Sequence, residues 1–375
     1  MSPNSILFFT YWYPNKNNKS FGIFVKRHVQ SVNIDNNPVV LSLNITKGKA
    51  FFKKNKLVFT DENGVETHQI TLVSRFYKVL YILLPFHYFL LKNYIKRELL
   101  TKHTFEILHS NIIFPCGIVG NRLARKFNLK HVISEHWTKL DKFFTVNAYA
   151  FFGKQALHKA NAITCVSKQL EGTLKKYTTN SSLVIIPNVI ESNEFYFDPS
   201  IVKNAVFTFI GVANWAQHKN PFYFLNALNE LVIEKKLGPF KLVLIGEGEQ
   251  LNRIKEKNYL FNIEYKGILS GSEICTELNK SHVFLHGSDF ETFSVVMAEA
   301  LMCGLPCVLS PVGIANDVIN DQNGFVTNNT HADWKEKIVK SYQAKYDSKL
   351  ISDQLKNKFD LKTIASLFNK LYASL

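Results

Sequence analysis

The sequence predicts an α/β protein made of two doubly wound domains, each with a mostly parallel sheet between helices. Short β-branched or aromatic runs alternate with longer amphipathic stretches along the whole chain, which is the pattern of consecutive β-α-β units. The 375 residues exceed the roughly 100–200 typical of one domain and make two domains the default. The basic side chains are concentrated in the first half, so the two halves also differ electrostatically.

Seven strands are predicted in the first half and five in the second, each a short apolar run between polar or glycine-containing segments. In the first half these are Ile6–Thr10, Val39–Asn44, Gln69–Val73, Phe105–His109, Val132–Glu135, Ile163–Val166 and Leu183–Ile186. In the second half they are Phe207–Gly211, Leu242–Ile245, Ile263–Tyr265, Val283–His286 and Cys307–Leu309.

A polar, proline-containing and aperiodic segment, residues 186–194, separates the two sets of strands and is predicted to link the domains. We therefore expect an N-terminal domain at residues 1–188 and a C-terminal domain at 189–360, with a last helix at about 361–375 packed back on the first domain. Ligands bind at the carboxyl ends of parallel strands, so two such domains facing across a cleft would place the site in that cleft.

The charge distribution narrows the classes of partner. Residues 1–190 carry 26 basic and 9 acidic side chains, a net charge of +17, whereas residues 191–375 carry 19 and 21, a net charge of −2. The basic half predicts an anionic partner, which is a nucleic acid, a phosphorylated substrate or an anionic membrane. A hydrophobic content of 46% with 20% charged residues excludes disordered and collagen-like classes.

The cysteines and the N-terminus predict a reduced, cytoplasmic protein. The five cysteines are scattered, without C-x-x-C pairs or histidines at zinc-ligand spacing, so neither structural disulfides nor zinc are expected. The chain starts directly with a strand-like run, which predicts no secretion signal. The uncharged stretch between Lys78 and Lys92 contains Pro85 and is shorter than the ~20 residues that span a bilayer, so no transmembrane helix is expected.

The main candidate functional residues lie in the segment after the predicted strand Val283–His286. Glu291 lies in a loop, and a helix that starts near Ser294 places Glu299 among apolar residues. A buried carboxylate needs a hydroxyl or cation partner, and a ribose offers two adjacent hydroxyls. The backbone N–H groups of Phe293, Ser294 and Val295 at the helix start would suit a diphosphate. The alternative is an ordinary helix with an exposed glutamate.

The spacing of Glu291 and Glu299, separated by seven residues, resembles the E-x7-E signature of the retaining family-four glycosyltransferases, which have the GT-B fold. Residues 310–326 resemble the glycine loop and the N-G-h-h-V strand that follow that signature. Residues 244–249 resemble the glycine-containing strand end, and residues 186–189 the interdomain linker. The resemblance covers almost the whole chain.

The resemblance implies roles for individual residues of the second half. Glu291 would lie near the donor sugar as a catalytic residue, Glu299 would hold the ribose, and the N–H groups of Phe293, Ser294 and Val295 would bind the diphosphate. Gly211 and Gly246, at two strand ends, would let the backbone approach the donor. Thr292 and Ser294 replace glycines that are common in the family.

Lys219, before a predicted helix, matches the lysine that binds the donor phosphate in the family, although in isolation a solvated loop lysine is the favoured interpretation. The arginine that usually follows the strand glycine is replaced here by Val212-Ala-Asn, and His218 or Asn214 would have to compensate.

In the first half, the resemblance implies sites at His136 and Gly22. His136 follows the strand Val132–Glu135 and would contact the donor sugar, although it also reads as a helix cap or a core histidine. Gly22 would allow close approach of the backbone to the donor, although it also reads as a turn glycine. Residues 75–97, aromatic with basic ends, fit either a membrane interface or a buried helix pair.

These observations predict a retaining glycosyltransferase, an enzyme that moves a hexose from a nucleotide-sugar donor to a glycan or polyprenyl-diphosphate-linked acceptor in surface polysaccharide biosynthesis. The resemblance implies no metal and no other cofactor. We expect a cytoplasmic protein that is peripheral on the inner face of an anionic membrane. A GT-B nucleotide-sugar epimerase is the alternative within enzymes. A nucleic-acid-binding protein is disfavoured because no RNP motif, helix-turn-helix or zinc module is present.

Overall fold

The computed structural model describes residues 4–16, 18 and 21–375. The chain divides into two compact units, Met1–Val189 with Leu361–Leu375, and Ile190–Asp360. We call them the N-terminal and the C-terminal unit. The sequence placed the boundary between residues 188 and 189, one residue before this division.

The N-terminal unit is built on an eight-stranded sheet with the order β3-β4-β2-β1-β5-β6-β7-β8 in the described part of the chain. Its strands are β1 (Ser5–Thr10), β2 (Asn37–Lys47), β3 (Lys53–Thr60), β4 (Glu66–Ser74), β5 (Ile107–Asn111), β6 (Lys130–Glu135), β7 (Ala162–Cys165) and β8 (Leu183–Ile185). Its helices before the boundary are α1 (Ile23–Val32), α2 (Tyr77–Ile82), α3 (Leu84–Tyr94), α4 (Ile118–Phe127), α5 (Leu140–Val146), α6 (Ala150–Lys159) and α7 (Lys168–Lys175), and a π-helical turn, Ile95–Leu99, extends α3.

All pairings in this sheet are parallel except that of β3 with β4, which is antiparallel. The strand β3 was not predicted, because its sequence begins Lys-Lys-Asn-Lys and lacks an apolar face. Lysine-rich strands are typical of sheet edges, where charge discourages pairing with other chains. The seven strands predicted in this half are present, with ends within three residues of the prediction.

The C-terminal unit has a six-stranded parallel sheet with the order β11-β10-β9-β12-β13-β14. Its strands are β9 (Phe207–Val212), β10 (Phe240–Ile245), β11 (Asn262–Gly267), β12 (Val283–His286), β13 (Cys307–Leu309) and β14 (Gly324–Val326). Its helices are α8 (Phe222–Ile233), α9 (Glu249–Lys255), α10 (Gly271–Lys280), α11 (Val295–Met302), α12 (Ala315–Val318), α13 (His331–Gln343) and α14 (Ser348–Phe359). The predicted doubly wound α/β fold class is confirmed for both units.

The last helix, α15 (Leu361–Ala373), belongs to the N-terminal unit. Its apolar face, with Ile364 and Phe368, packs in one buried cluster with Val29 of α1 and Phe8 of β1. His109 on β5 reaches the same helix, because its Nδ1 lies 2.7 Å from the hydroxyl of Tyr372. Burial of these side chains holds the last helix on the N-terminal sheet rather than on the unit that precedes it in sequence.

The C-terminal unit has its own core, in which Trp215, Phe224 and Trp334 are almost fully buried. Side-chain caps start its later helices: Ser270 and Glu273 form a reciprocal capping box at α10, and Thr330 caps α13. This core supports the carboxyl ends of β9 and β12, from which the loops described next emerge.

Candidate active site

An ion pair between Lys219 and Glu291 lies at the centre of the candidate site in the C-terminal unit. The two side chains come from the loops that follow β9 and β12, and each is only 12% exposed. Two more groups face the same carboxylate oxygen, Glu291 Oε1: His286 Nε2 at 3.4 Å and Ser288 Oγ at 3.4 Å. The sequence predicted Lys219 and Glu291 as separate site residues, and the structure brings them into direct contact.

The environment of Glu291 keeps it ionised. Burial alone would raise the pKa of this carboxyl group, but the contact with His286 and the charge of Lys219 outweigh burial and lower the pKa to about 2. Burial lowers the pKa of His286, so its imidazole is neutral near pH 7. A neutral His286 with its proton on Nε2 donates to Glu291, so the carboxylate faces one cation, Lys219, and two neutral donors, His286 and Ser288.

Backbone contacts hold the loop of Lys219 against the loop of Glu291. The N–H of Asn220 donates to the carbonyl of Gly287 at 3.0 Å, and the N–H of Asp289 donates to the carbonyl of His218 at 2.9 Å. A Cβ on Gly287 would lie 2.3 Å from the Asn220 carbonyl oxygen, so only glycine permits this approach. The position of Lys219 is therefore set by main-chain geometry as well as by its charge.

The three residues predicted to bind a diphosphate lie where α11 starts. Phe293 is buried, Ser294 precedes the helix and Val295 is its first residue. The N–H groups of the first helical turn have no partner within a helix and carry the positive end of its dipole. Ser294 has φ 70° and ψ 75°, a left-handed conformation that favours glycine. Gly313, with φ +63°, packs against the Phe293 carbonyl from the following loop.

Glu299 lies on α11 and is 8% exposed, so its carboxylate belongs to an otherwise apolar helix, as the sequence predicted. It is on the same helix whose start follows Glu291, so one short segment positions both glutamates. Cys303, at the end of this helix, donates its backbone N–H to the carbonyl of Glu299 at 3.0 Å.

Gly211 and Gly246, predicted to contact a donor, both make tight packing contacts. Gly211 lies inside β9, where the side chains of Trp215 and Leu244 come within 3.2 Å of the position that a Cβ would take. Gly246 has φ +110°, and a Cβ there would lie 1.9 Å from the carbonyl oxygen of Ala213. The fold itself requires glycine at Gly246, whereas a side chain at Gly211 would need Trp215 and Leu244 to shift by a few tenths of an ångström.

In the N-terminal unit, His136 directly follows β6, at the strand end where it was predicted. Its ring is buried beside Phe24 and His28, with ring centroids 4.6 Å and 5.2 Å away, and burial lowers its pKa well below the usual value. Gly22 precedes α1 with φ +68°, and a Cβ there would lie 2.3 Å from the backbone of Trp12. The imidazole of His136 is therefore neutral and in contact with the helix that Gly22 starts.

Sequence reasoning did not identify two residues that shape these sites. His286, the last residue of β12, faces Glu291, and its place at a strand end was an available signal. Glu135 is fully buried and accepts backbone N–H groups from Ile113, His136 and Trp137 at 2.7–2.8 Å. Burial raises the pKa of Glu135 to about 7. This carboxyl group fixes the turn that carries His136 through the adjacent N–H groups of His136 and Trp137, and it joins that turn to Ile113, 22 residues earlier.

Within residues 4–16, 18 and 21–375, no three His, Cys, Asp or Glu side chains are grouped so that they could hold a metal ion. Within the same residues, no helix has both the length and the apolar character needed to cross a bilayer.

Comparison with known proteins gives a consistent result. A family model for "Glycosyl transferases group 1" matches residues 204–344, and a model for "Glycosyltransferase Family 4" matches residues 56–194. An uncharacterised glycosyltransferase of Methanocaldococcus jannaschii is 26% identical over 252 residues, which are 65% of this chain and 68% of that protein. The UDP-Gal:alpha-D-GlcNAc-diphosphoundecaprenol alpha-1,3-galactosyltransferase of Escherichia coli is 28% identical over 268 residues, 61% of this chain and 64% of the relative.

These matches span about two thirds of the length of the two relatives. Among solved structures, a sucrose-phosphate synthase from Thermosynechococcus elongatus is similar in fold, with a TM-score of 0.76 over 99% of this chain and 98% of that one at 16% identity. The two family matches cover most of the N-terminal and the C-terminal unit respectively, and they agree with the two mainly parallel sheets. The chain is therefore a member of the family-four, group 1 glycosyltransferases and has the GT-B fold.

Proposed function

We propose that the protein is a retaining glycosyltransferase that transfers a hexose from a nucleoside-diphosphate donor to a glycan or lipid-linked glycan acceptor. The observation that carries the proposal is the Lys219–Glu291 pair next to the start of α11, with Glu299 buried on the same helix. This arrangement places a cation from the loop after β9 beside a loop and helix that supply a helix N-terminus and two carboxylates. These are the groups that a diphosphate, a sugar and a ribose require.

In this proposal the donor phosphates take over part of the interaction that Lys219 makes with Glu291 in the free protein. Lys219 and the first N–H groups of α11 stabilise the diphosphate as it leaves, without a metal ion and without another cofactor. Glu299 accepts hydrogen bonds from the ribose hydroxyls, and Glu291 lies beside the sugar. His136, neutral because it is buried, contributes a hydrogen bond to a sugar hydroxyl. Gly22, Gly211 and Gly246 keep the neighbouring backbone close-packed.

The bond between the anomeric carbon and the diphosphate oxygen breaks as the bond to the acceptor oxygen forms on the same face of the sugar. The departing diphosphate takes the proton of the acceptor hydroxyl, so the chain needs no separate general base. Electrostatic stabilisation of the leaving group then supplies most of the rate enhancement. Because Lys219 contributes a full charge in a site largely closed to water, its removal is expected to lower turnover strongly.

The acceptor class is proposed from charge and from one relative. The E. coli relative is named for a diphosphoundecaprenol acceptor. The N-terminal unit carries 28 basic and 9 acidic residues, a net charge of +19, once residues 361–375 are included. A polyprenyl-diphosphate-linked glycan in surface polysaccharide biosynthesis combines an anionic headgroup with an anionic membrane, and both suit this charge.

A surface of exposed aromatic and basic residues in the N-terminal unit supports a peripheral position at the inner face of the membrane. Phe51 is 70% exposed and Phe76 is 49% exposed, and the guanidinium of Arg75 lies 5.4 Å and 4.8 Å from the two ring centroids. Phe89 on α3 is 55% exposed, with Lys92 5.0 Å from its ring. Rings at headgroup depth with cations beside anionic lipid are typical of interfacial binding.

The proposal is tested with a panel of nucleotide sugars. The donor should raise the thermal unfolding temperature of the purified protein by mass action, and neither Lys219→Met nor Glu299→Ala should respond as strongly. Glu230→Gln, which removes an exposed carboxylate of the same unit, is the matched control. With donor and a lipid-linked acceptor, NMR of the product should show the anomeric configuration of the donor. An inverted product, or a chain stabilised by no nucleotide sugar, would contradict the proposal.

A further inference from the structure

A row of polar side chains crosses one face of the sheet formed by β2, β4 and β3. The register places Asn44 of β2 beside Thr71 of β4, and Thr71 beside Asn55 of β3. Paired residues point to the same side of a sheet, so the three side chains form one row. Alternate residues of these strands are fully buried on the opposite side: Leu41, Leu43, Ile70 and Leu72. The sheet is therefore apolar on one side and rich in amide and hydroxyl groups on the other.

This polar face forms the floor of a cavity of about 380 Å³. The loop after β1 closes one side, where the side-chain amide of Gln69 donates to the carbonyl of Pro14 at 2.6 Å and Lys16 lines the edge. The volume lies within the ~300–1,000 Å³ range of small-molecule sites. The cavity lies towards the carboxyl ends of β2 and β4, the end of an open parallel sheet at which ligands bind.

Asn44 gives an independent sign of a ligand. Its side chain lines the cavity and is only 6% exposed, yet its Nδ2 forms no hydrogen bond with the part of the chain that the structure describes. A buried amide donor without a partner is destabilising, and the great majority of such groups in native proteins are satisfied by the protein, water or a ligand. The unpartnered donor of Asn44 therefore marks a position for an acceptor atom.

The lining selects a neutral, hydroxyl-rich ligand. Carboxamides can donate and accept at once, and so can hydroxyls, which matches the adjacent hydroxyl groups of a sugar ring. No acidic side chain is among the described residues that line the cavity. Two lysines are also among these residues. Lys56 is paired with Glu98 at 2.7 Å, and Lys16 lies at the rim. A phosphate group would instead need several uncompensated cations.

We propose that this cavity is a subsite for a neutral sugar residue of the acceptor glycan, held by Asn44, Asn55, Gln69 and Thr71. The inference rests on the proposed function for the source of the sugar, and it assigns acceptor recognition to this face of the N-terminal unit.

The test uses the full-length protein and the methyl glycosides of glucose, galactose, mannose and N-acetylglucosamine, titrated by saturation-transfer NMR. At least one glycoside should bind, and Asn44→Ala should weaken it about tenfold, because the buried amide loses its ligand bond. Thr71→Val should weaken the same glycoside severalfold. Asn226→Ala, which changes an exposed amide of the C-terminal unit, should bind as the unchanged protein does.

Thermal unfolding separates a ligand-binding amide from a structural one. Because Asn44 Nδ2 has no partner in the described structure, Asn44→Ala should unfold at the same or a higher temperature. The inference is overturned if no glycoside binds, if Asn44→Ala and Thr71→Val bind like the unchanged protein, or if Asn44→Ala strongly lowers the unfolding temperature.

The experiment is independent of donor binding. If the protein transfers sugar from a nucleotide donor and Asn44→Ala leaves the KM for the acceptor unchanged, the proposed function stands and the subsite is refuted. If the protein binds a glycoside through Asn44 but no nucleotide sugar stabilises it, the subsite stands and the proposed function is refuted.

Discussion

The Lys219–Glu291 pair predicts a large stability effect that can be measured without substrate. Lowering the pKa of the Glu291 carboxyl from 4.5 to about 2 corresponds to roughly 3 kcal/mol of stabilisation, at about 1.4 kcal/mol per pH unit. The folded-state pKa is the lower one, so this stabilisation is complete above about pH 4.5 and is lost as the pH falls towards 2. Glu291→Gln at pH 7 should therefore destabilise the C-terminal unit by about 3 kcal/mol.

For a unit of this size, a loss of that magnitude corresponds to a Tm lower by roughly 6–12 °C. The measurement is differential scanning calorimetry, with hydrogen exchange of peptides from Ile190–Asp360 to assign the loss to this unit, because a protein with two units need not unfold in one step. This magnitude is consistent with the ~3–5 kcal/mol that is lost when one partner of a buried ion pair is removed, a figure that already includes the cost of leaving Lys219 without its partner.

A double-mutant cycle decides whether the pair itself is responsible. If Lys219 and Glu291 interact as described, the double variant Lys219→Met/Glu291→Gln should be more stable than the sum of the single effects predicts, by about 2 kcal/mol or more. The exposed pair of Lys335 and Glu230 on the same unit is the matched control and should show only weak coupling. Additive effects at Lys219 and Glu291, or single variants as stable as the unchanged protein, would refute the reasoning.

Three further predictions concern other residues. Glu299→Gln should lower nucleotide affinity at least about tenfold by isothermal titration, because its buried carboxylate would lose hydrogen bonds to ribose; unchanged affinity would contradict this role. Burial lowers the pKa of His28 to about 4, so this group alone should lower stability by roughly 3 kcal/mol between pH 6.5 and 4, where only the unfolded chain gains its proton. In urea unfolding, His28→Gln should remove about that much of the acid-induced loss and leave the rest, because burial also lowers the pKa of His136; an unchanged pH profile would disprove the prediction. Ser294→Gly should raise stability by about 1 kcal/mol in calorimetry by relieving the positive φ, and no gain would argue against strain there.

Most of the parallel strands were predictable because they are short apolar runs, a signal that burial on both faces of a sheet leaves in the sequence. The edge strand β3 was not predictable, because it begins with Lys-Lys-Asn-Lys rather than with an apolar run. It forms a strand because it lies at the sheet edge and pairs with β4. The short strand β14 was indicated only through the family pattern and not by its composition. Tertiary pairing rather than local preference determines such strands.

The site was predictable where one segment carries it and not where two segments meet. Glu291 and Glu299 lie on one loop and helix, so their spacing alone placed them near each other. Lys219 is 72 residues before Glu291, and their contact depends on the backbone bonds that join the two loops. The contribution of His286 likewise arises only when the end of β12 faces the loop that follows it. A side chain that acts through a distant backbone contact leaves no periodic pattern in the sequence.

The charge asymmetry is sharper in the structure than along the sequence, and it constrains how an anionic donor is held. Assigning residues 361–375 to the N-terminal unit leaves the C-terminal unit with 17 basic and 21 acidic residues, a net charge of −4. Because exposed charges are screened beyond about 8–10 Å at physiological salt, this net charge neither attracts nor strongly repels a bound diphosphate. In the proposed function, the affinity for the donor then comes from Lys219 and the first turn of α11, close to the phosphates. In the proposed function, the ion pair with Glu291 holds the Lys219 side chain in place before a donor binds, and a donor phosphate would then take over part of that role.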